Sequence, residues 1–183
     1  MTSALLVIDI QNDYFPGGKM ELVGSLEAAT NAAQVQRHFR QLGLPVIHVQ
    51  HIALSPTATF FLPDTQGAEI QPDVAPINSE TVVVKHFPNA FRETQLAQLL
   101  AQLAVTELTV VGMMTHMCVD TTVRAASDLG FNVTLIGDAC ATLDLTHDGE
   151  TVAAAEVQTA YLAAIDGSFA SVVNASDFLS ADN

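Results

Sequence analysis

The sequence predicts an α/β fold: a three-layer α/β/α sandwich around a six-stranded, mostly parallel, Rossmann-like sheet. Two observations predict it. Short β-branched runs alternate with longer segments of helical periodicity, the pattern of linked strand–helix–strand units. The first run, Leu5 to Ile10, is almost continuously apolar, as a strand covered by helices on both faces must be.

The elements follow in order. Leu5 to Ile10 is the first strand. Ser25 to Leu42 reads as a helix, with Ser25 as its N-cap and Gly43 as its stop. Pro45 to Gln50 is the second strand. Residues 51–80 hold Pro56, Pro63, Pro72 and Pro76 without periodicity; an irregular segment of that length is usually functional, a lid for example. Thr81 to Lys85 is the third strand, Arg92 to Leu103 a helix and Leu108 to Gly112 the fourth strand. His116 to Leu129 is helical and stops at Gly130; Asn132 to Ile136 is the fifth strand. Asp148 to Ile165 is a long Ala-rich helix, with His147 and Asp148 at its start. Phe169 to Val173 is the sixth strand, and a short helical tail follows. No repeat, low-complexity tract or second core is visible, so residues 1–183 read as one domain.

Composition removes several function classes. Hydrophobic residues make up 49% and charged residues 14%, which excludes disorder. No apolar run approaches the ~18 residues of a membrane span. The segment Met1 to Ile8 lacks the basic start of a signal peptide. Six Lys plus Arg face 20 Asp plus Glu, a net charge of −14, which excludes nucleic acid and anionic membranes as partners. The loop after the first strand, Gln11 to Tyr14, is acidic and has no Gly-x-Gly-x-x-Gly, which argues against a nucleotide or flavin cofactor. Two cysteines make no disulfide framework and suit a reducing cytoplasm. Few charges among many small apolar residues suggest surface buried in a homodimer or homotetramer.

In an open parallel sheet, ligands sit beyond the carboxyl ends of the strands. Polar residues that end apolar strands are therefore the candidates. Asp9 ends the first strand, and a carboxylate there is costly unless paired. Lys85, one of two lysines in the chain, ends the third. Cys118 follows the fourth, in the first turn of a helix, where the helix dipole favours a thiolate. Each alone has a plain structural reading: a turn-capping aspartate, a snorkelling lysine, a buried inert cysteine. Together they supply a nucleophile, a base for its proton and a cation for the resulting charge.

Three segments carry a resemblance to a known family: Leu5 to Phe15 with Asp9-Ile10-Gln11-Asn12-Asp13, Val84 to Phe91 with Lys85-His86-Phe87-Pro88, and Gly112 to Thr122 with Thr115-His116-Met117-Cys118. The chain resembles the isochorismatase-like cysteine hydrolases, which include nicotinamidases and N-carbamoylsarcosine amidohydrolases. The resemblance spans residues 4 to about 175. It implies Cys118 as nucleophile, Asp9 as general base and Lys85 as the bridge that favours the thiolate. It also implies a non-proline cis peptide at Met113–Met114, with the N–H groups of Met114 and Cys118 forming the oxyanion hole. The reaction implied is hydrolysis of a small amide, ureido or related C–N bond through a thioester.

Departures narrow this. Nicotinamidases hold a metal through Asp-x-His and a further His after the second strand. Here that region reads His48-Val49-Gln50-His51, without Asp-x-His, so no metal is expected. His48 and His51, three apart on a strand, face opposite sides. Isochorismatases that cleave a vinyl ether lack the cysteine, so Cys118 favours carbonyl chemistry. The alternatives left are a vinyl-ether hydrolase and a catalytically silent member that acts as a small-molecule binding or interaction protein. Pocket candidates are Gln11, Phe15, His51, Phe60, Phe91 and His116, with Phe61 beside Phe60. Gln11 and Asn12 would orient Asp9, and Cys140 reads as a small buried residue.

Overall fold

The computed structural model describes residues 2–77 and 80–181; Met1, residues 78–79 of the irregular segment and residues 182–183 lie outside the described residues. The strands are β1 (Thr2–Ile8), β2 (Val46–His51), β3 (Thr81–Lys85), β4 (Val105–Met113), β5 (Asn132–Ala141), β6 (Leu145–His147), β7 (Glu150–Val152) and β8 (Ser171–Val173). Six of them form one sheet in the order β3-β2-β1-β4-β5-β8, with every pairing parallel. The helices are α1 (Ser25–Gln41), α2 (Leu96–Gln102), α3 (Asp120–Asp128), α4 (Ala154–Ile165) and α5 (Ala175–Ala181).

Side chains alternate across a strand, so β1 feeds two apolar layers. Leu5 and Val7 pack with Val46, Val111 and Ile136 under Ala28, Ala32, Val35 and Phe39 of α1. Leu6 and Ile8 pack with Ile47, Val49 and Leu135 under Leu96 and Leu100 of α2, Val123 of α3 and Ile165 of α4. Each such buried aliphatic side chain contributes about 1.5–3 kcal/mol. The three-layer α/β/α arrangement follows from these two faces.

Several boundaries differ from the sequence reading, each for a local reason. Gly24, at φ 76°, is the N-cap of α1; Ser25 is its first residue and makes no capping bond. Glu93, at φ 56°, interrupts the expected helix from Arg92, and α2 starts at Leu96. β4 starts earlier than its apolar core because Glu107 still pairs with Asn132, and β5 runs on to Ala141 because, past a register shift, Cys140 and Ala141 pair with Gly112 and Met113. The expected helix start at His147 and Asp148 is instead a hairpin. β6 and β7 are antiparallel, and the turn between them sets Asp148 at φ 49° and Gly149 at φ 82°. Asp-Gly is the pair that adopts two positive φ angles at least cost. Helix α4 then begins at Ala154, whose N–H is held by Asp144 at 2.8 Å.

The irregular segment is fastened along its length. Two 3-10 turns, Gln66–Ala68 and Pro72–Val74, lie within it. The Asp13 carboxylate accepts from Phe61 N–H at 2.7 Å, Asn12 N–H donates to Glu69 O at 3.0 Å, and Gln71 N–H donates to Ile10 O at 2.9 Å. Gly67 lies against the Asp13 carboxylate so closely that a Cβ would collide with it. The segment therefore packs over the loop after β1.

The start of β3 is held by an ion cluster. Arg40 grips Glu80 through two bonds of 2.7 and 2.8 Å, and His48 Nε2 lies 3.0 Å from the same carboxylate. Burial opposes the Glu80 charge, but Arg40, the Ile77 N–H and His48 outweigh it and hold its pKa at about 2. A depressed carboxylate stabilises the fold above its ordinary pKa of 4.5 and loses that contribution as pH falls through 2. Glu80→Gln is therefore expected to lower Tm at neutral pH. The gap to wild type should narrow as pH drops through that window, as read by thermal melts; a constant gap would contradict it.

Candidate active site

Four neighbouring strands deliver their carboxyl ends to one point. Asp9 follows the last residue of β1, His51 ends β2, Lys85 ends β3, and Cys118 lies in the turn after β4. The β2–β3 register pairs His51 with Lys85 directly. His48, three residues before, faces the other side and joins Glu80 and Gln36.

Asp9 breaks from the strand at φ 49°, with its N–H on Val49 O at 3.0 Å. Immediately beside it, Gly112 stands at φ 148° against Ile8; a Cβ there would collide with the Ile8 carbonyl. Glycine thus lets β4 pass close to β1 where the site begins. The Met113–Met114 peptide is cis. The chain then makes a wide turn of π-helix, Thr115–Val119, in which Met114 O accepts from Met117 N–H at 3.0 Å and from Val119 N–H at 3.2 Å. The turn is braced from behind. Thr115 Oγ1 donates to Gln158 at 2.7 Å, and Gln158 donates to Gly137 O at 3.1 Å.

The centre is a buried ammonium. Lys85 Nζ lies 2.7 Å from Asp9 Oδ2, 2.9 Å from His51 Nδ1, 3.1 Å from Phe87 O and 3.2 Å from Cys118 Sγ. Asp9 and Lys85 are fully buried and Cys118 is 5% exposed. Burial raises the Asp9 pKa, with Lys85 pulling back only in part. Burial works against the Lys85 charge too, yet Asp9 and Cys118 outweigh it and hold the ammonium above its ordinary value. The Cys118 thiol is pushed up, first by burial, then by the Asp9 charge, against the pull of Lys85. The arrangement therefore stabilises one negative charge beside one permanent cation and resists a second. Burial and the Asp9 charge both raise the Cys118 thiol, whereas Lys85 acts to lower Asp9, so Asp9 is the better holder of that charge.

Donor atoms of Asp9, His51 and Cys118 lie within 4.8 Å of one another, a spacing that one cation could span. The Lys85 ammonium stands among them, within 3.2 Å of all three. The residues present thus fit an ammonium rather than a metal ion at that point.

Other expected residues are placed differently. Gln11 does not touch Asp9: its side chain accepts from His51 N–H and donates to His51 O, both at 2.8 Å, and donates to Ala68 O at 2.8 Å. Asn12 donates to Gln66 O at 2.9 Å, so neither residue orients the carboxylate. Phe15 is buried in the apolar layer beneath α1. Phe60 stacks on Phe61, with ring centroids 4.9 Å apart, and Phe61 lies 6.0 Å from the His51 ring. Phe91 stacks on Phe131, the residue before β5, with ring centroids 6.2 Å apart. His116 bonds Thr142 Oγ1 at 2.6 Å and faces Tyr161, without contact to the charged cluster. Cys140 is buried, and burial lifts its pKa to about 12.

Two participants escaped the sequence reading. The Phe87 carbonyl is a backbone acceptor with no residue-type signal. Tyr14 is buried, its ring 4.6 Å from Phe61, and it lies near enough for the charges of Cys118 and Asp9 to add to burial in raising its pKa. Its place next to Asp13 in the first motif was the available signal.

Comparison with known proteins shows the family. The isochorismatase domain model matches residues 3–175. The isochorismatase family protein YddQ of Bacillus subtilis (strain 168) is 50% identical over 179 residues, 98% of this chain and 99% of YddQ. A streptothricin hydrolase of Streptomyces noursei is 38% identical over 149 residues, 78% of this chain and 50% of that protein. A crystal structure from Oleispira antarctica, described as an isochorismatase hydrolase, superposes with a TM-score of 0.94 at 47% identity, covering 98% of this chain and 96% of that one. By the domain match, the identity over nearly the whole of both chains and the shared fold, the chain belongs to the isochorismatase family of hydrolases.

Proposed function

We propose that this chain is a cysteine hydrolase that cleaves a small amide, ureido or related C–N carbonyl substrate through a thioester on Cys118. One observation carries the reading: a single buried ammonium 2.7 Å from Asp9 Oδ2 and 3.2 Å from Cys118 Sγ.

The chemistry follows from where the one negative charge goes. Asp9 takes the thiol proton as sulfur attacks the carbonyl carbon. The charge moves from carboxylate to sulfur and on to the carbonyl oxygen, and Lys85 stays beside its path. The three ammonium protons are directed to His51 Nδ1, Phe87 O and Cys118 Sγ, and Asp9 is held as an ion pair, so Lys85 already faces sulfur when Asp9 becomes neutral. The N–H groups of Met114 and Cys118 are the oxyanion donors in this reading. Asp9 then returns its proton to the leaving nitrogen as the C–N bond breaks, releasing ammonia or an amine. Water gives a proton to Asp9 and attacks the thioester, the C–S bond breaks, the acid leaves and sulfur recovers the proton.

The field narrows the substrate. Lys85 is the cation that acts on Asp9 and Cys118, and it is already committed. A chain of net charge −14 repels anions, so neutral or cationic amides suit it better than carboxylates. The acid product gains a negative charge in that setting, which favours its release. The reading places the enzyme in a reducing cytoplasm, where Cys118 and Cys140 remain free thiols, as a homodimer or homotetramer acting on small molecules. Light scattering reads the assembly.

The test is an amide and ureide panel scored by ammonia or amine release, with the enzyme quenched during turnover and mapped by mass spectrometry. An acyl mass on the Cys118 peptide is expected. Turnover without any covalent adduct on that peptide overturns the thioester.

A further inference from the structure

His51 is held in three ways at once. Its main chain is clamped at both N–H and C=O by the Gln11 side chain, at 2.8 Å each. Its Nδ1 faces Lys85 Nζ at 2.9 Å. An ammonium only donates, so Nδ1 must accept and carries no proton. The neutral imidazole then bears its proton on Nε2. Burial, with the Lys85 and His86 charges beside it, lowers the His51 pKa to about 4, so the ring keeps this form through neutral pH. Nε2 has no bonding partner among the described residues. Nor is it among the buried side-chain atoms left without one, so it reaches open space. The ring is half-buried at the rim of the site, between Lys85 and Phe61.

We propose that His51 is the substrate-reading residue of this site: fixed as its Nε2–H form, it presents one hydrogen-bond donor to an acceptor atom on the substrate. The inference rests on Cys118 being the nucleophile. One ring nitrogen of His51 lies within 4.8 Å of Cys118 Sγ, so the imidazole stands beside the carbonyl attacked by sulfur and the acceptor it reads is a few bonds away. The substrates favoured are amides with an ether, carbonyl, hydroxyl or ring-nitrogen acceptor at that remove. An ammonium at the same position meets a donor and is rejected.

Two aldehydes of equal shape test this, because an aldehyde and the Cys118 thiol add reversibly to a thiohemiacetal with no other reactant. Methoxyacetaldehyde has an ether oxygen where butyraldehyde has a methylene. Labelled with carbon-13 at the carbonyl, each reports its adduct by NMR, and Cys118→Ser gives the background. Wild type is expected to favour methoxyacetaldehyde over butyraldehyde by roughly three- to tenfold more than the His51→Asn variant does, one neutral hydrogen bond's worth. Asparagine keeps an acceptor for Lys85 but loses the far donor. His51→Ala gives the same loss of preference, and because each variant is compared with itself across two aldehydes, a lower folded fraction cancels. The same relative preference in wild type and both variants overturns the proposal and leaves Cys118 as nucleophile. A nitrogen-15 spectrum placing the His51 proton on Nδ1 overturns it as well. Absence of any Cys118 adduct in wild type removes the nucleophile, and this inference with it.

Discussion

Cys118→Ala is expected to lower turnover by roughly 10⁴-fold or more, because no other group at this point can form the acyl bond. The fold should survive. Alanine fills most of the same space in the apolar layer beside Val119 and Val123. Lys85 loses one acceptor of four and keeps Asp9, His51 and Phe87 O. The stability change should be about 1 kcal/mol, a Tm shift of about 2–4 °C. Steady-state rates beside thermal melts separate the two effects. A variant that keeps its full rate makes Cys118 a bystander.

The second large effect is Asp9→Asn, and it moves rate and thiol titration in opposite senses. The amide cannot take the thiol proton or protonate the leaving nitrogen, so the rate should fall by roughly 10²–10⁴-fold. The same change strips Lys85 of its partner at 2.7 Å and leaves a buried cation without a counter-ion. The nearest group able to supply one is the Cys118 thiol, at 3.2 Å. In wild type the Asp9 charge helps push that thiol up; without it Lys85 pulls it down. The variant is thus expected to hold more thiolate than wild type while turning over far less substrate. A loss below about tenfold in rate would make Asp9 structural.

The fold was legible because its physics is local. Apolar runs such as Leu5 to Ile8 can only be strands buried on both faces, and strand-ending Asp9 and Lys85 could be located by their cost in that setting. What was not legible depended on contacts across the chain. Gln11 lies two residues from Asp9 in sequence but serves His51, forty residues on, since the bend at Asp9 carries the next side chains away from the carboxylate. Phe91 ends the Lys85 motif yet its ring packs on Phe131, far along the chain. The hairpin at Asp148-Gly149 did have its signal, the Asp-Gly pair, but the Ala-rich run after it drew the helix start too early. His51 could be placed near the pocket from its strand, whereas its proton could be assigned only from the position of Lys85 Nζ.

The central claim is that Asp9 and Cys118 share one negative charge held by Lys85. The direct measurement is the far-ultraviolet thiolate absorbance of wild type and Asp9→Asn across pH, each with its Cys118→Ser counterpart subtracted. Wild-type Cys118 should stay a thiol through neutral pH, and in Asp9→Asn its midpoint should move to lower pH. Superimposable titrations in the two proteins would contradict the account, because Asp9 would then hold no charge that the thiol feels.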